Sequence, residues 1–452
     1  MTTTTVPPVP VSARHPGSLE ARLVDLAGRR VVLVEVAGER RRGALTEADG
    51  HTWAEAADHA LAAGLPLVAV ISSSGADVHE GVAALHGWGT AARALSRCSG
   101  RVPVLMAATG PIVSGPALLL GLADQVVLTD DAHAFVSGPR MVETFTGEVL
   151  GIDDLGGAGV HAASTGLAAL VVPDRDAALA ALSDILAYLP DNTDELPPTW
   201  WTDDPVDRPT PEAGECLPAS ATGGYDVRDV ARAVVDDGEL LELRARWAPN
   251  LVTALATIGG QPVGIVANQP VAIAGTLDIP ASQKGARFVS FCDSMNLPLL
   301  TLIDTPGFYP GKDLEWRGMI RKGAQLAFAY ARATVPRVAV VLRKAYGGAY
   351  IVMDCRTMGS DCYMAWPSAE IAVMGAKGAV EILHRREPPE RRAELEQQYE
   401  DRFLNPYVAA DRGSVDAVIR PDQTRAEVAA TFDLLRAKRE RLRPRKHDNF
   451  PL

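Results

Sequence analysis

The chain has 452 residues, a formal net charge of −12 at pH 7 and a hydrophobic fraction of 47%. This length predicts two domains, each large enough for its own hydrophobic core. The acidic balance argues against a surface that binds nucleic acid. The five cysteines form no C-x-x-C pair, which disfavours a zinc site and indicates a reduced, cytoplasmic protein.

The N-terminal segment, residues 1–17, is rich in Thr, Pro and Ser and is predicted to be disordered. It lacks the basic start and apolar block of a signal peptide. The most apolar long stretch, residues 111–128, contains Gly115, Pro116 and Asp124. We therefore interpret this stretch as core rather than membrane, and we expect neither a membrane nor a nucleic-acid partner.

Further along the chain, the pattern predicts a strand at residues 31–36 and an Ala-rich helix at residues 52–63. Residues 65–71 form a short apolar run that begins Leu-Pro-Leu and leads to Ser-Ser-Ser-Gly, ending at Gly75. A run without charges predicts a strand buried on both faces, followed here by a turn.

This pattern recurs in the second half of the chain. Residues 297–307 also begin Leu-Pro-Leu and end in glycine, at an offset of 307 − 75 = 232. Further pairs match at offsets of 233 and 237: Val102-Pro103 with Val335-Pro336, Ser114-Gly115 with Gly347-Gly348, Asp124 with Asp361, and Gly138 with Gly375. Such self-similarity predicts an internal duplication, that is, two copies of one α/β unit.

The domain boundaries follow from composition. Residues 190–224 are rich in Pro, Asp and Thr, which favours a linker between domains. We therefore predict an N-terminal domain at residues 18–200, a linker at 201–223 and a C-terminal domain at 224–452. Charged helices are expected near the end of the chain, at residues 390–403 and 424–441.

A glycine turn follows the buried strand predicted at residues 337–342. There the chain reads Tyr346-Gly347-Gly348-Ala349 and then enters a predicted helix, residues 349–358. The first N–H groups of a helix lack acceptors and carry a partial positive charge. Such a turn can hold an oxyanion, and Ser114-Gly115 occupies the matching position in the first copy.

Other motifs for catalysis are missing. The run Asp304-Thr305-Pro306-Gly307 imitates a GTPase switch, but the sequence has no G-x-x-x-x-G-K-[ST] loop to hold phosphates. It also has no G-x-S-x-G elbow, no H-E-x-x-H and no G-x-G-x-x-G after a strand. The sequence therefore offers no conventional nucleophile, metal site or dinucleotide site, and the two backbone turns are the candidates for chemistry.

Several segments carry a family resemblance. The first turn, Gly110-Pro111-Ile112-Val113-Ser114-Gly115, resembles the crotonase superfamily. In the second copy, KAYGGAY (344–350), AWPSAEIAVMGAKGAV (365–380), NPYVAADRGSVDAVI (405–419) and the terminal KHDNFPL resemble the carboxyltransferase β subunit of biotin-dependent acyl-CoA carboxylases, of the propionyl-CoA or acetyl-CoA type. The resemblance covers residues 65–452 and is strongest after residue 254. It implies an α/β fold of two tandem crotonase-like (ββα-spiral) domains.

The resemblance also implies an activity, namely transfer of the carboxyl group from carboxybiotin to the α-carbon of an acyl-CoA. In the family, backbone N–H groups of the first copy bind the thioester carbonyl, and those of the second copy bind the biotin ureido oxygen. Carried over, these donors are Ser114 and Gly115, then Gly348 and Ala349. The resemblance implies a partner α subunit that carries biotin and biotin carboxylase, and a homo-oligomer, a hexamer built of dimers, with sites at the dimer interfaces.

Further residues are assigned roles by the same resemblance. Tyr346 and Gly347 accompany the biotin turn, and Gly138 and Gly375 belong to the substrate pocket. Lys284 and Arg287 correspond to a segment near the CoA phosphates, with a solvated helix face as the alternative. Ile351 corresponds to the acyl pocket, where an apolar residue favours an apolar acyl chain, unless it is simply core.

One departure leaves alternatives open. Pro116 matches Ala349 and has no N–H, although a proline is also favoured where a helix begins. A biotin-independent decarboxylase of malonyl-type thioesters, a crotonase-type hydratase or isomerase, and a catalytically weakened scaffold subunit therefore remain alternatives. The sequence gives neither the acyl chain length nor the identity of the biotin-bearing partner.

Overall fold

The computed structural model describes residues 8–11, 17–36, 40–220, 223–438, 440–444 and 446–451. The chain divides into two compact units. The first comprises Met1–Pro198 with Arg244–Trp247, and the second comprises Thr199–Leu243 with Ala248–Leu452. Each unit has its own sheet covered by helices, so the prediction of two α/β domains is confirmed.

In the described part of the first unit, eight strands form one sheet in the order β1-β2-β3-β4-β5-β6-β8, with β7 beside β5. The first three strands pair antiparallel and the rest are parallel. The bounds are β1 Val9–Pro10, β2 Leu19–Leu26, β3 Arg29–Val36, β4 Leu67–Ser73, β5 Val104–Val113, β6 Gln125–Thr129, β7 His133–Phe135 and β8 Leu170–Val172.

The helices of the first unit pack their apolar faces on this sheet, and Trp53 and Leu95 are buried in the resulting core. The helix predicted at residues 52–63 starts earlier, at Glu47, because Thr46 and Asp49 form a capping box at its N-terminus. The bounds are α1 Glu47–Ala63, α2 Val82–Cys98, α3 Ala117–Leu120, α4 Pro139–Thr146, α5 Ile152–Gly156, α6 Ala158–Val160 and α7 Arg175–Ala187.

The second unit repeats this arrangement over its described residues, in the order β16-β14-β13-β12-β11-β10-β9 with β15 beside β13. The strands are β9 Leu241–Glu242, β10 Leu251–Ile258, β11 Gln261–Asn268, β12 Leu299–Thr305, β13 Arg337–Tyr346, β14 Cys362–Ala365, β15 Glu370–Ala372 and β16 Ala417–Val418. The helices are α8 Pro211–Glu215, α9 Val227–Val234, α10 Ile279–Ser294, α11 Lys312–Trp316, α12 Met319–Arg332, α13 Gly347–Val352, α14 Ala376–Leu383, α15 Pro389–Phe403, α16 Pro406–Asp411 and α17 Thr424–Leu435.

The duplication is visible in the strand registers. The pairing of β4 with β5 shifts register between Ile71 and Ser73. The pairing of β12 with β13 shifts register between Ile303 and Thr305. The two positions are equivalent, because they differ by the offset found in the sequence (303 − 71 = 232). Each register shift lies just before the glycine turn of its copy, so the turn follows the same irregular strand pairing in both units.

Two expectations on connecting segments need correction. Residues 1–7 and 12–16 lie outside the described residues, but Val9–Pro10 pairs with β2 as strand β1, so predicted disorder does not extend over residues 8–11. The predicted linker also packs on the second unit: buried Arg425 donates to the carbonyls of Asp204 and Pro205, and Thr210 N–H donates to Asp422 O at 2.9 Å. Residues 221 and 222 lie outside the described part.

Two helices near the site and the C-terminus are shorter than predicted. The helix expected at residues 349–358 is α13, which ends at Val352, because Asp354 adopts a left-handed conformation (φ 59°) that interrupts a right-handed helix. The helix expected at residues 424–441 ends at Leu435. Because α13 is short, the segment that follows β13 consists mainly of the glycine turn at the N-terminus of this helix.

Candidate active site

The second glycine turn is built on a left-handed residue. Strand β13 ends at Tyr346, and α13 begins at Gly347, whose φ is 59°. A Cβ atom on Gly347 would lie 3.1 Å from the carbonyl oxygen of Val373. Glycine adopts this conformation without steric cost, whereas other residues lose about 1–2 kcal/mol. Gly347 therefore lets the chain pass from strand into helix within one residue.

Gly348 and Ala349 follow in the first turn of α13, so their N–H groups have no acceptor within the helix. Gly348 is exposed, and the ring of Phe308 lies 3.4 Å from where its Cβ would be. Ala349 is 0% exposed. Gly348 is therefore the residue of the two that solvent reaches, whereas Ala349 is covered, which differs from the expectation that both would face the ligand.

The first turn has the same shape with a different residue at its start. Ser114 has a φ of 64°, and its N–H donates to the carbonyl oxygen of Phe135 at 2.9 Å. Pro116 has no N–H to donate. Over the described residues, the N–H of Gly115 has no acceptor, while the Gly115 carbonyl accepts from the indole N–H of Trp88. Over the described residues, the Gly115 N–H is therefore the donor left without an acceptor here, and the N–H of Ser114 is already used.

The orientation of the Gly115 N–H follows from its peptide plane. The carbonyl of Ser114 accepts the N–H of Ala117 at 3.1 Å, so this carbonyl points toward the helix. In a trans peptide the N–H points opposite to the carbonyl. The Gly115 N–H therefore points away from α3, as a donor at a helix N-terminus does. Gly115 and Gly348 are matched residues at an offset of 348 − 115 = 233.

A loop that the sequence analysis missed supplies another N–H in the second unit. Residues Ile273, Ala274 and Gly275 all have positive φ values, 41°, 56° and 71°. Ala274 is exposed, and its N–H finds no acceptor within the described chain. Leu277, just beyond the loop, forms a β-bridge with Phe308, the residue that packs on Gly348. Phe308 thus links the loop to the turn.

The first unit has the corresponding loop. Arg42 and Gly43 have φ values of 51° and 68°, and Leu45 forms a β-bridge with Ala76. Gly43 matches Gly275 at the offset already found for the strands (275 − 43 = 232). That spacing was the signal in the sequence that could have revealed the loops.

Tyr346 and the two pocket glycines shape the surroundings of the turns. The Tyr346 hydroxyl donates to Glu370, and burial raises the pKa of this phenol above its usual range. Its ring lies 3.4 Å from the position of a Cβ on Gly375, the residue that precedes α14. Gly138 precedes α4 in the same way. Because the Tyr346 hydroxyl is engaged, Tyr346 supports the turn, and its contact with biotin stays a prediction.

The residues assigned to CoA and to the acyl group differ in accessibility. Lys284 is 1% exposed, and its Nζ donates to the carbonyl of Ala248 at 3.4 Å, so it is poorly placed to meet a phosphate. Arg287, on the same helix α10, is exposed. Ile351 is 38% exposed and lies three residues after Gly348 on α13. Ile351 is therefore at the surface near the turn rather than in the core.

The described residues contain no group of three or more His, Cys, Asp or Glu side chains placed to hold a metal ion. None of the described helices is long and apolar enough to cross a membrane. The accessible backbone donors, Gly115 and Gly348 at the helix starts and Ala274 in the loop, are thus the groups that this geometry presents. Such donors stabilise negative charge on an oxygen without themselves titrating.

Comparison with known proteins identifies the family. The carboxyl transferase domain matches residues 25–450. The propionyl-CoA carboxylase beta chain of Saccharopolyspora erythraea is 44% identical over 444 residues, 94% of this chain and 81% of that protein. The methylmalonyl-CoA carboxyltransferase 12S subunit of Propionibacterium freudenreichii subsp. shermanii is 43% identical over 415 residues, 90% of this chain and 79% of that protein.

The fold agrees with this result. The crystal structure of transcarboxylase 12S with methylmalonyl-coenzyme A and methylmalonic acid bound matches with a TM-score of 0.96 at 40% identity, over 99% of this chain and 90% of that one. The resemblance noted in the sequence is confirmed. The chain belongs to the carboxyl transferase domain family and is an enzyme subunit, a carboxyltransferase of the type found in biotin-dependent acyl-CoA carboxylases.

Proposed function

We propose that the two units divide the reaction between two oxyanion holes. The Gly115 N–H of the first unit binds the thioester carbonyl of an acyl-CoA. The Gly348 N–H of the second unit, helped by Ala274, binds the ureido oxygen of biotin. The observation that carries this proposal is the pair of N–H groups without an acceptor among the described residues, at two helix starts in positions matched by the duplication (348 − 115 = 233).

The residues fit these two ligands because each reacting group has an oxygen that gains negative charge. Bound carboxybiotin would supply the carboxyl group as CO₂; breaking the N–CO₂ bond would free the ureido nitrogen to take the α-proton of the acyl group, and the resulting enolate carbon would bond to the CO₂. The chain therefore needs no catalytic histidine or carboxylate of its own. Gly115 stabilises the enolate oxygen of the thioester, and Gly348 stabilises the ureido oxygen. Loss of one such donor typically lowers the rate by about 10²–10³-fold.

We further propose that biotin arrives on a partner. The chain has no A-M-K-M biotin-attachment motif, so a subunit that carries biotin and biotin carboxylase must supply it. The transcarboxylase 12S structure is described as a hexamer assembly, and the same assembly, with sites at dimer interfaces, is proposed here. Light scattering on the eluted protein should give a hexameric mass, and a monomer at micromolar concentration would contradict this assembly.

The acyl group is proposed to be short and apolar, as in propionyl-CoA. Ile351 is the supporting residue, because it lies exposed on α13 just after Gly348. An apolar side chain there favours an acyl chain that buries its methyl groups, at about 0.8 kcal/mol for each buried CH₂. Arg287 remains the proposed contact for the CoA phosphates, and Gly138 and Gly375 remain proposed pocket residues.

The direct test runs the reaction in reverse with the purified chain alone. Methylmalonyl-CoA and free biotin are mixed with the protein, and release of propionyl-CoA is measured by chromatography. We expect release that rises with biotin concentration and saturates. Release at the same rate without biotin would instead favour a biotin-independent decarboxylase, and no release with a folded protein would favour a scaffold subunit.

A further inference from the structure

A buried ion pair lies at the carboxyl ends of the two central strands of the second unit. Asp304 belongs to β12 and Arg343 to β13, and they are 1% and 7% exposed. Arg343 Nε lies 3.0 Å from Asp304 Oδ2, and the Tyr225 hydroxyl donates to the same oxygen at 2.9 Å. The Arg343 guanidinium also lies 5.2 Å from the centre of the Tyr225 ring. The carboxylate and the guanidinium of this buried pair therefore make further contacts besides the one that joins them.

This pair joins the backbone segments that carry the second hole. Asp304 Oδ1 accepts the N–H of Lys344 at 3.1 Å, three residues before Gly347. The N–H of Asp304 donates to Asn268 Oδ1 at 3.2 Å, at the end of β11. The Asp304 carbonyl oxygen lies 2.5 Å from where a Cβ on Gly275 would be. The Asp304 side chain therefore holds β13 ahead of the Gly348 turn, and its backbone carbonyl lies against the Ala274 loop, as the matched Ser72 carbonyl lies against Gly43 in the first unit.

Arg343 extends the network to a fourth segment. Its Nη1 donates to the carbonyl of Gly223 at 2.9 Å and to the carbonyl of Ser220 at 3.4 Å. The planar guanidinium can bind these carbonyls and Asp304 together because its donors form a rigid fork. The carbonyls of Ser220 and Gly223, which precede α9, are thereby fixed beside the strand ends.

The first unit has no such pair. By the internal alignment, Ser72 takes the place of Asp304 (304 − 232) and Gly110 takes the place of Arg343 (343 − 233). A Cβ on Gly110 would lie 3.0 Å from Ser72 Oγ, so the two positions face each other there as well. Since the strands, the register shift and the turn are shared, the fold itself does not require the ion pair.

We propose that Asp304, Arg343 and Tyr225 are positioning residues that hold the Gly348 turn and the Ala274 loop at the spacing needed to bind the ureido oxygen of biotin. This inference rests on the function proposed above. The first hole lacks the network, so weakening the network changes the biotin half of the reaction and leaves acyl-CoA binding intact. A misplacement of about 1 Å in such a site lowers a rate by roughly 10²-fold.

The test uses two mild variants of the full chain. Arg343→Lys keeps the cation beside Asp304 but cannot reach both carbonyls, and Tyr225→Phe removes only the hydroxyl. The matched control is Arg425→Lys. Arg425 is also buried in the second unit, where it pairs with Asp236 at 2.6 Å. Asp236 accepts the N–H of Gly259 at 2.8 Å, in the turn that leads into β11, away from the strand ends that carry the site.

Biotin-stimulated release of propionyl-CoA from methylmalonyl-CoA is measured for each variant, per folded protein, over a range of both substrates. We expect kcat to fall about 10–10²-fold for Arg343→Lys and less for Tyr225→Phe, with the KM for the thioester unchanged. Arg425→Lys should lower the melting temperature but not kcat. Should Arg343→Lys and Arg425→Lys change kcat equally, or should Arg343→Lys leave it at wild-type level, the positioning role is wrong. A wild-type chain without biotin-stimulated release would instead refute the proposed function.

Discussion

Exchanging the residues at the two turn positions tests whether the duplicated turns obey the same backbone physics. Ser114 and Gly347 have nearly the same φ, 64° and 59°. A left-handed conformation costs a non-glycine residue about 1–2 kcal/mol. Glycine loses roughly 0.5–1 kcal/mol more conformational freedom on folding. Ser114→Gly should therefore stabilise the chain by about 0.5–1 kcal/mol. Gly347→Ser should destabilise it by about the same amount from these two terms, and by more because its Cβ would meet Val373 O at 3.1 Å.

The measurement is urea unfolding of both variants, followed by circular dichroism and by amide hydrogen exchange. The second probe is needed because a chain of two units need not unfold in one step. Biotin-stimulated release is measured in parallel, and Ser114→Gly should retain it because the Gly115 N–H is unchanged. If Ser114→Gly lowers stability by about 1 kcal/mol or more, the serine side chain makes a stabilising contact and the strain argument fails.

Three further predictions concern single residues near the second turn. Ile351→Asp should raise the KM for methylmalonyl-CoA in steady-state kinetics by placing a charge where an apolar acyl group binds, and an unchanged KM would remove Ile351 from the pocket. Ala349→Pro should lower biotin-stimulated turnover only slightly, because the N–H that it removes is already covered. Loss of an oxyanion donor would lower turnover by roughly 10²–10³-fold, and a loss of this size would show that the Ala349 N–H contacts the ligand. Burial raises the pKa of Asp354 to about 7, and Arg337 offsets this only in part. The native state thus retains a proton that the unfolded chain releases near pH 4, so the contribution of Asp354 to stability in urea should fall as pH rises from about 4 to about 7 and level off above it. Asp354→Asn should remove that contribution, so the difference in stability between the variant and the wild type should change with pH over this range and be constant above it.

The architecture could be predicted from the sequence because the two copies share a pattern of apolar runs and glycine turns. The buried strands keep their apolar runs, and the offsets of 232 and 233 persist from the strands into the turns. The structure gives a physical reason for this shared pattern. The register shifts at Ile71 and Ile303 fall at matched places, so strand length and turn position are fixed together in each copy.

The state of individual backbone groups could not be predicted in the same way. A sequence pattern places a helix start, but it does not show which N–H already has an acceptor. The N–H of Ser114 is used by Phe135 on the short strand β7, and that pairing depends on how the chain returns after the turn. Ala349 is covered by packing, and Lys284 faces the core of its unit. Contacts made by distant segments determine all three outcomes.

The central claim is that one hole binds the acyl-CoA carbonyl and the other binds biotin. A crystal or cryo-electron microscopy structure of the chain with methylmalonyl-CoA and biotin bound tests this directly. The thioester carbonyl oxygen should lie within about 2.7–3.2 Å of the Gly115 nitrogen, and the biotin ureido oxygen should lie within the same distance of the Gly348 nitrogen. A thioester oxygen bound at Gly348, or a ureido oxygen held by neither turn, would contradict it.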